Sequence, residues 1–73
     1  MSEDSKSRVM RLSEVMATTG LSRSAIYLKG DSRSRYFDAQ FPPRFKLGER
    51  SVGWSATEVM SWVTSKMESR VQR

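Results

Sequence analysis

The 73-residue chain contains no cysteine and no histidine. The first absence excludes disulfides, and the two together exclude a thiolate or imidazole zinc site, so neither staple of small domains is available. They also remove the thiol nucleophile and the imidazole base from any catalytic repertoire. The eight acidic side chains show no spacing that pairs them as acid and base. Four glycines, at 20, 30, 48 and 53, are scattered at turns and do not form a phosphate-binding loop. Enzymatic activity, a cofactor, a metal and a small-molecule ligand are therefore not expected. Long apolar runs are missing too: no stretch approaches the roughly 18 residues of a membrane span. The opening MSEDSKSR has no apolar segment of the secretory kind. The expected location is the cytoplasm, with no membrane partner, and the lack of cysteine fits a reducing compartment.

What remains must fold by packing alone. A chain of this size buries only about 60% of its unfolded surface. Its 37% hydrophobic content, with two Trp, three Phe and two Tyr, is enough for one small core and no more. Residues 1–8 are polar and aperiodic and read as a flexible tail, and residues 9–73 as one domain. The net charge is +5. By total alone it suits nucleic acid, an anionic membrane or an acidic protein equally well. Its distribution is uneven: Arg23, Lys29, Arg33, Arg35, Arg44, Lys46 and Arg50 face only Asp31, Asp38 and Glu49, so the middle of the chain carries most of the excess.

Ser13 as N-cap and Glu14 in the first turn predict a short first helix over Glu14–Thr19, with Leu12, Val15, Met16 and Thr19 along one face and Gly20 as its left-handed stop. The start signal then recurs. Ser22 caps a second helix from Arg23 to Lys29 or Gly30, and Leu21 and Ile26 form a hydrophobic staple across its entry. Two helices joined by so short a glycine turn make a helix-turn-helix in geometry, which serves DNA binding or an ordinary helical corner. On the second helix Ile26 faces the core with Ala25 beside it. Arg23, Ser24 and Tyr27 point away as donors and acceptors for base edges, and Tyr27 suits a half-buried core aromatic equally.

The 30–43 connection, GDSRSRYFDAQFPP, is long. Arg33 and Arg35 in it are candidates for phosphate contact, and Tyr36, Phe37 and Phe41 are expected to pack the loop onto the core. RFKLGERSVGW then alternates as a β-hairpin about a two-residue Gly48-Glu49 turn of type II′, pairing Leu47 with Arg50, Lys46 with Ser51 and Phe45 with Val52. In this register Phe45, Leu47, Val52 and Trp54 form an inner apolar face, with Arg44, Lys46, Ser51 and Gly53 outside. Such a hairpin needs support and projects as a wing, with Lys46, Arg50 and Ser51 near a phosphate backbone or minor groove. A capping box, Ser55 with Glu58, and a Trp54/Val59 staple open the third helix. Ala56, Val59, Met60, Trp62, Val63 and Met67 fall on its core side.

The expected fold is mainly α with a small β-hairpin: a winged helix-turn-helix of three helices and a two-stranded wing. Its order of elements, carried by RLSEVMATTGLSRSAIY, RYFDAQFPPRFKLGERSVGW and EVMSWV over Arg11–Val63, resembles the AlpA family of phage and prophage transcriptional regulators. That resemblance implies a winged helix-turn-helix similar to those of MerR-type regulators and phage excisionases. It further implies duplex DNA as partner, with Ser22 through Lys29 matching the recognition helix and Lys46 through Ser51 the wing. Transcriptional regulation is the leading expectation. The alternatives are an excisionase that bends attachment-site DNA and a module that grips a response regulator or recombinase. A second copy, cooperative assembly on DNA and RNA polymerase complete the candidate partners.

Overall fold

A single positive-φ residue among those described, Gly20 at φ 77°, marks the tight turn on which the architecture depends. A computed structural model describes residues 8–70 and contains strand β1 (Val9–Met10), helices α1 (Leu12–Thr19) and α2 (Arg23–Lys29), strands β2 (Phe45–Lys46) and β3 (Val52–Ser55), and helix α3 (Ala56–Ser69). The result is mainly helical, with three helices and a small antiparallel sheet, in keeping with a winged helix-turn-helix. Of the expected tail, residues 1–7 lie outside the described residues. Arg8 pairs with Glu14 at 2.8 Å, and its carbonyl accepts the Ala56 N–H.

The helix-turn-helix forms from local signals. Gly20 ends α1 and donates its N–H to the Met16 carbonyl at 2.8 Å, and the Ser22 hydroxyl accepts the Ala25 N–H at 3.1 Å to open α2. The start of α1 differs from the prediction. The helix begins at Leu12, Arg11 is its N-cap, and Ser13 lies inside the first turn. Glu14 accounts for this: at the third helical position its carboxylate reaches back to the Arg11 N–H at 3.4 Å.

The core draws one or two side chains from every element except β2, together with Phe41 from the long loop: Met10, Val15, Ile26, Phe41, Trp54, Ala56 and Val59. Trp54, 2% exposed, is the largest of them. The 30–43 loop is latched to α3 by Asp38, whose carboxylate accepts the Trp62 indole N–H at 3.2 Å and the Gln40 N–H at 2.9 Å. Its own N–H donates to the Lys29 carbonyl. Phe41 meets Trp62 edge to face at 5.0 Å. Tyr36 and Phe37, expected on the core, are exposed, because this single latch and Phe41 already hold the loop.

The sheet departs from the sequence reading twice. It has three strands in the order β1-β3-β2, since Val9 and Met10 pair with Ser55 and Trp54 on the free edge of β3. The hairpin register is also shifted: Phe45 pairs with Gly53 and Lys46 with Val52. A type II′ turn would need positive φ at Gly48, which is absent; the loop closes through Leu47 and Gly48 N–H groups on the Ser51 carbonyl. A slip of one residue changes which side chains share a face. Val52 and Trp54 keep the core side, while Phe45 and Leu47 are turned out and exposed. Gly53 shows why this register holds: a Cβ there would sit 2.5 Å from Val9 Cγ1 and 3.1 Å from Leu47 Cδ1, so those side chains fill its place on the back of the sheet.

Helix α3 starts as predicted, the Ser55 hydroxyl accepting the Glu58 N–H at 3.3 Å. Its buried stripe is narrower than expected. Ala56 and Val59 are buried and Trp62 and Val63 partly so, while Met60 and Met67 are exposed. A helix of 14 residues outruns so small a core, and only its first turns are covered.

Candidate nucleic-acid interface

Ile26 fixes the orientation of α2. With it 1% exposed, the 100° step of the helix puts Ser24 and Leu28 on the opposite, outward pole. Arg23 and Tyr27 occupy one flank, and Ala25 and Lys29 the other. Arg23 and Ser24 are exposed as predicted. Tyr27 is half-buried, its ring edge-on to Trp54 with centroids 6.2 Å apart. On this ring rests the Arg44 guanidinium, 5.1 Å from the centroid. An aromatic supported by the core thus carries a cation on its solvent side.

The shifted register gathers further positive charge at this point. Lys46 pairs with Val52 and shares its face of the sheet, and Arg44, two residues earlier, lies toward α2 as well. Gly30, Arg44, Lys46 and Val52 line one shallow cleft between helix and hairpin. Tyr27, Gly30, Arg33 and Arg44 line the adjoining one. Arg11 adds a cation nearby, its Nε donating to the Val52 carbonyl at 3.1 Å. One acid tempers the field. Asp31 accepts the Arg33 N–H at 3.0 Å and its Nε at 3.3 Å, and these bonds hold its carboxyl below the ordinary carboxylate range.

Of the residues singled out from sequence, Tyr27 and Arg33 line one of these adjoining clefts and Lys46 the other, while Arg23 is exposed on the Tyr27 flank of α2. Ser22 is committed as the cap of α2. Ser51 is half-buried with its carbonyl closing the hairpin loop, and Arg50 is exposed in that loop. Lys29 and Arg35 are directed elsewhere: Lys29 Nζ lies 5.9 Å from the Trp62 ring, and the Arg35 guanidinium 5.6 Å from the Tyr36 ring. Sequence reasoning placed Arg44 on the outer, basic face of the wing with Lys46 but did not single it out, because it precedes the hairpin's tip and only its stacking on Tyr27 brings it to the helix. Its alternation with Lys46 was the available signal.

Among the described residues no group of three or more acidic side chains is placed to hold a metal ion, and no helix is long and apolar enough to cross a membrane. The arrangement is an exposed helix edge beside a cationic cleft, suited to an anionic polymer that offers both phosphates and a groove. Comparison with known proteins agrees in kind. The family model described as Prophage CP4-57 regulatory protein (AlpA) matches residues 8–67. The DNA-binding transcriptional activator AlpA of Escherichia coli (strain K12) is 36% identical over 66 residues, spanning 90% of this chain and 94% of that protein. The uncharacterized protein ORF88 of Enterobacteria phage P4 is 36% identical over 63 residues, 86% of this chain and 65% of that protein. No solved structure matches.

Proposed function

This chain belongs to the AlpA family of prophage regulatory proteins, and from that premise we propose that it binds double-stranded DNA sequence-specifically and regulates transcription of phage or prophage genes. The observation that carries the reading is the pair of adjoining clefts that share Arg44, which rests on Tyr27 in one and stands beside Lys46 in the other. Helix α2, about 10 Å long at 1.5 Å per residue, enters a major groove about 12 Å wide. Arg23 and Ser24 then face base edges, with the Tyr27 hydroxyl at the flank. Arg44 and Lys46 take the adjacent phosphates, and Arg50 and Ser51 follow the backbone from the wing. Arg33 adds charge from the loop, and Lys29 and Arg35, held against the Trp62 and Tyr36 rings, add positive charge beside the outward pole of α2.

One module of this size covers roughly 600–1,000 Å² on DNA, the low end for specific recognition. The proposed site is therefore a set of repeated or inverted half-sites occupied by more than one copy, which sedimentation of the complex would count. The central test is duplex affinity against salt. We expect a steep linear log–log dependence, and Arg23→Ala to lose about 1–3 kcal/mol of discrimination between a selected duplex and a random one. Equal loss on both duplexes would remove Arg23 from base reading, and salt-independent or absent binding would sink the DNA assignment.

A further inference from the structure

The outward pole of α2 is only half polar. Leu28, 39% exposed, stands one turn beyond Ser24 and opposite the buried Ile26, where a helix lying in a groove makes its deepest contact. With Leu21, Ala25 and Tyr36 it walls a shallow concavity of about 420 Å³ whose remaining lining is Ser22, Ser24 and Lys29. Tyr36 is 59% exposed, and its N–H is tied to the Ser34 hydroxyl at 2.9 Å. The Arg35 guanidinium rests over its ring. The concavity thus has an apolar floor, a rim of hydroxyls and cations, and no carboxylate.

Charge complementarity decides the occupant. A rim of hydroxyls and cations without a carboxylate is complementary to the phosphate-lined walls of a nucleic-acid groove. In the major groove the apolar group a base pair displays is the thymine C5-methyl. We propose that Leu28, backed by Tyr36, reads a thymine methyl in the recognised DNA. This assigns base specificity to an apolar contact that the hydrogen-bonding residues of α2 do not supply, and it rests on the DNA-binding function proposed above.

The test alters the DNA first, so it needs no variant to fold. A duplex selected from a random library by the wild-type chain is resynthesised with each thymine replaced singly by uracil, which removes the methyl and keeps the pairing. At one position or more, uracil should weaken binding about fourfold, the worth of one buried methyl-sized group. Leu28→Ala, checked by circular dichroism, should bind the thymine and uracil duplexes equally at that position while keeping discrimination elsewhere. Uracil tolerated at every position, or a thymine-to-uracil ratio that survives in Leu28→Ala, would overturn the proposal. So would loss of cooperative loading in Leu28→Ala with that ratio intact, which would assign the patch to a second copy. Failure of the wild-type chain to retain any duplex would overturn the DNA-binding function and this inference with it, whereas binding without methyl discrimination would overturn this inference alone.

Discussion

Two of the aromatic–cation clusters among the described residues flank α2, and they differ in whether a carboxylate is ion-paired within them. On one side Lys29 and Lys66 lie 5.9 and 5.4 Å from the Trp62 ring, and Asp38 closes the cluster by accepting the indole N–H and lying 3.9 Å from Lys66 Nζ. On the other side Arg44 lies over Tyr27, and among the described residues no carboxylate comes within ion-pair distance of it. The first cluster has its counter-charge built in and serves as a latch between the long loop and α3. In the second the nearest acid, Asp31, lines the same cleft and feels the Arg44 charge but is hydrogen-bonded to Arg33, so the guanidinium on Tyr27 stays open to a further anion. The paired acid thus separates a cation–aromatic contact committed to the fold from one left open to a further anion.

The comparison can be broken at its common support. Trp54 is the core side chain on which Tyr27 leans, so Trp54→Ala should cost about 3–5 kcal/mol and abolish both the thermal transition and DNA binding near physiological temperature. Asp38→Ala separates the two clusters. It removes the acceptor for a part-buried indole N–H and for the Gln40 N–H, and we expect a loss of about 1–3 kcal/mol in denaturant unfolding. Duplex affinity measured on the folded fraction should be unchanged. A fall in affinity as large as the fall in stability would show that the latch and the cleft are not independent.

Arg44 should show the opposite pattern. Arg44→Ala should leave stability within about 0.5–1 kcal/mol, the worth of an exposed cation–π contact, yet weaken binding to specific and random duplexes alike and flatten the salt slope by about one. Arg44→Lys should keep the slope but recover only part of the affinity, because an ammonium lacks the planar fork that both stacks and hydrogen-bonds. If lysine restored affinity completely, the orientation imposed by Tyr27 would be irrelevant.

These residues also mark where sequence reasoning succeeds. Ser22, Ser55 and Gly20 were legible because caps and left-handed stops depend on atoms within four residues of one another. The hairpin register was not, since it is set by Val9 lying across Gly53 from a strand more than forty residues away. That one long-range contact moved Phe45 and Leu47 off the core and brought Arg44 and Lys46 to the α2 side. Exposure of Met60 and Met67 was hidden for a related reason: helical periodicity gives the direction of a side chain but not the extent of the core beneath it. The outward pole of α2 follows from the position of Ile26, so Leu28 was readable in principle. Its residue type alone gives no such sign, since a leucine on a short helix is far more often a core side chain than a base contact.

The smallest effect, and the one that tests the latch without removing atoms, is its dependence on pH. The Asp38 carboxyl is held below the ordinary carboxylate range, chiefly by the Gln40 N–H and also by the Trp62 indole and the charges of Lys66 and Lys29, against a partial desolvation that acts the other way. A group whose folded pKa is depressed stabilises the fold fully above its unfolded value, about 3.9, and loses that contribution as pH falls through the folded value. The thermal midpoint should therefore be flat with respect to this group from neutrality to about pH 5, then decline on acidification. Asp38→Asn, which cannot ionise, should start from a lower midpoint and decline less steeply. A residual slope should persist in that variant, because Asp31 is depressed as well by its bonds to Arg33. Identical acid limbs in the two proteins would mean that the Asp38 charge contributes nothing to the latch, and that its hydrogen bonds to Gln40 and Trp62 hold the loop without help from the lysines.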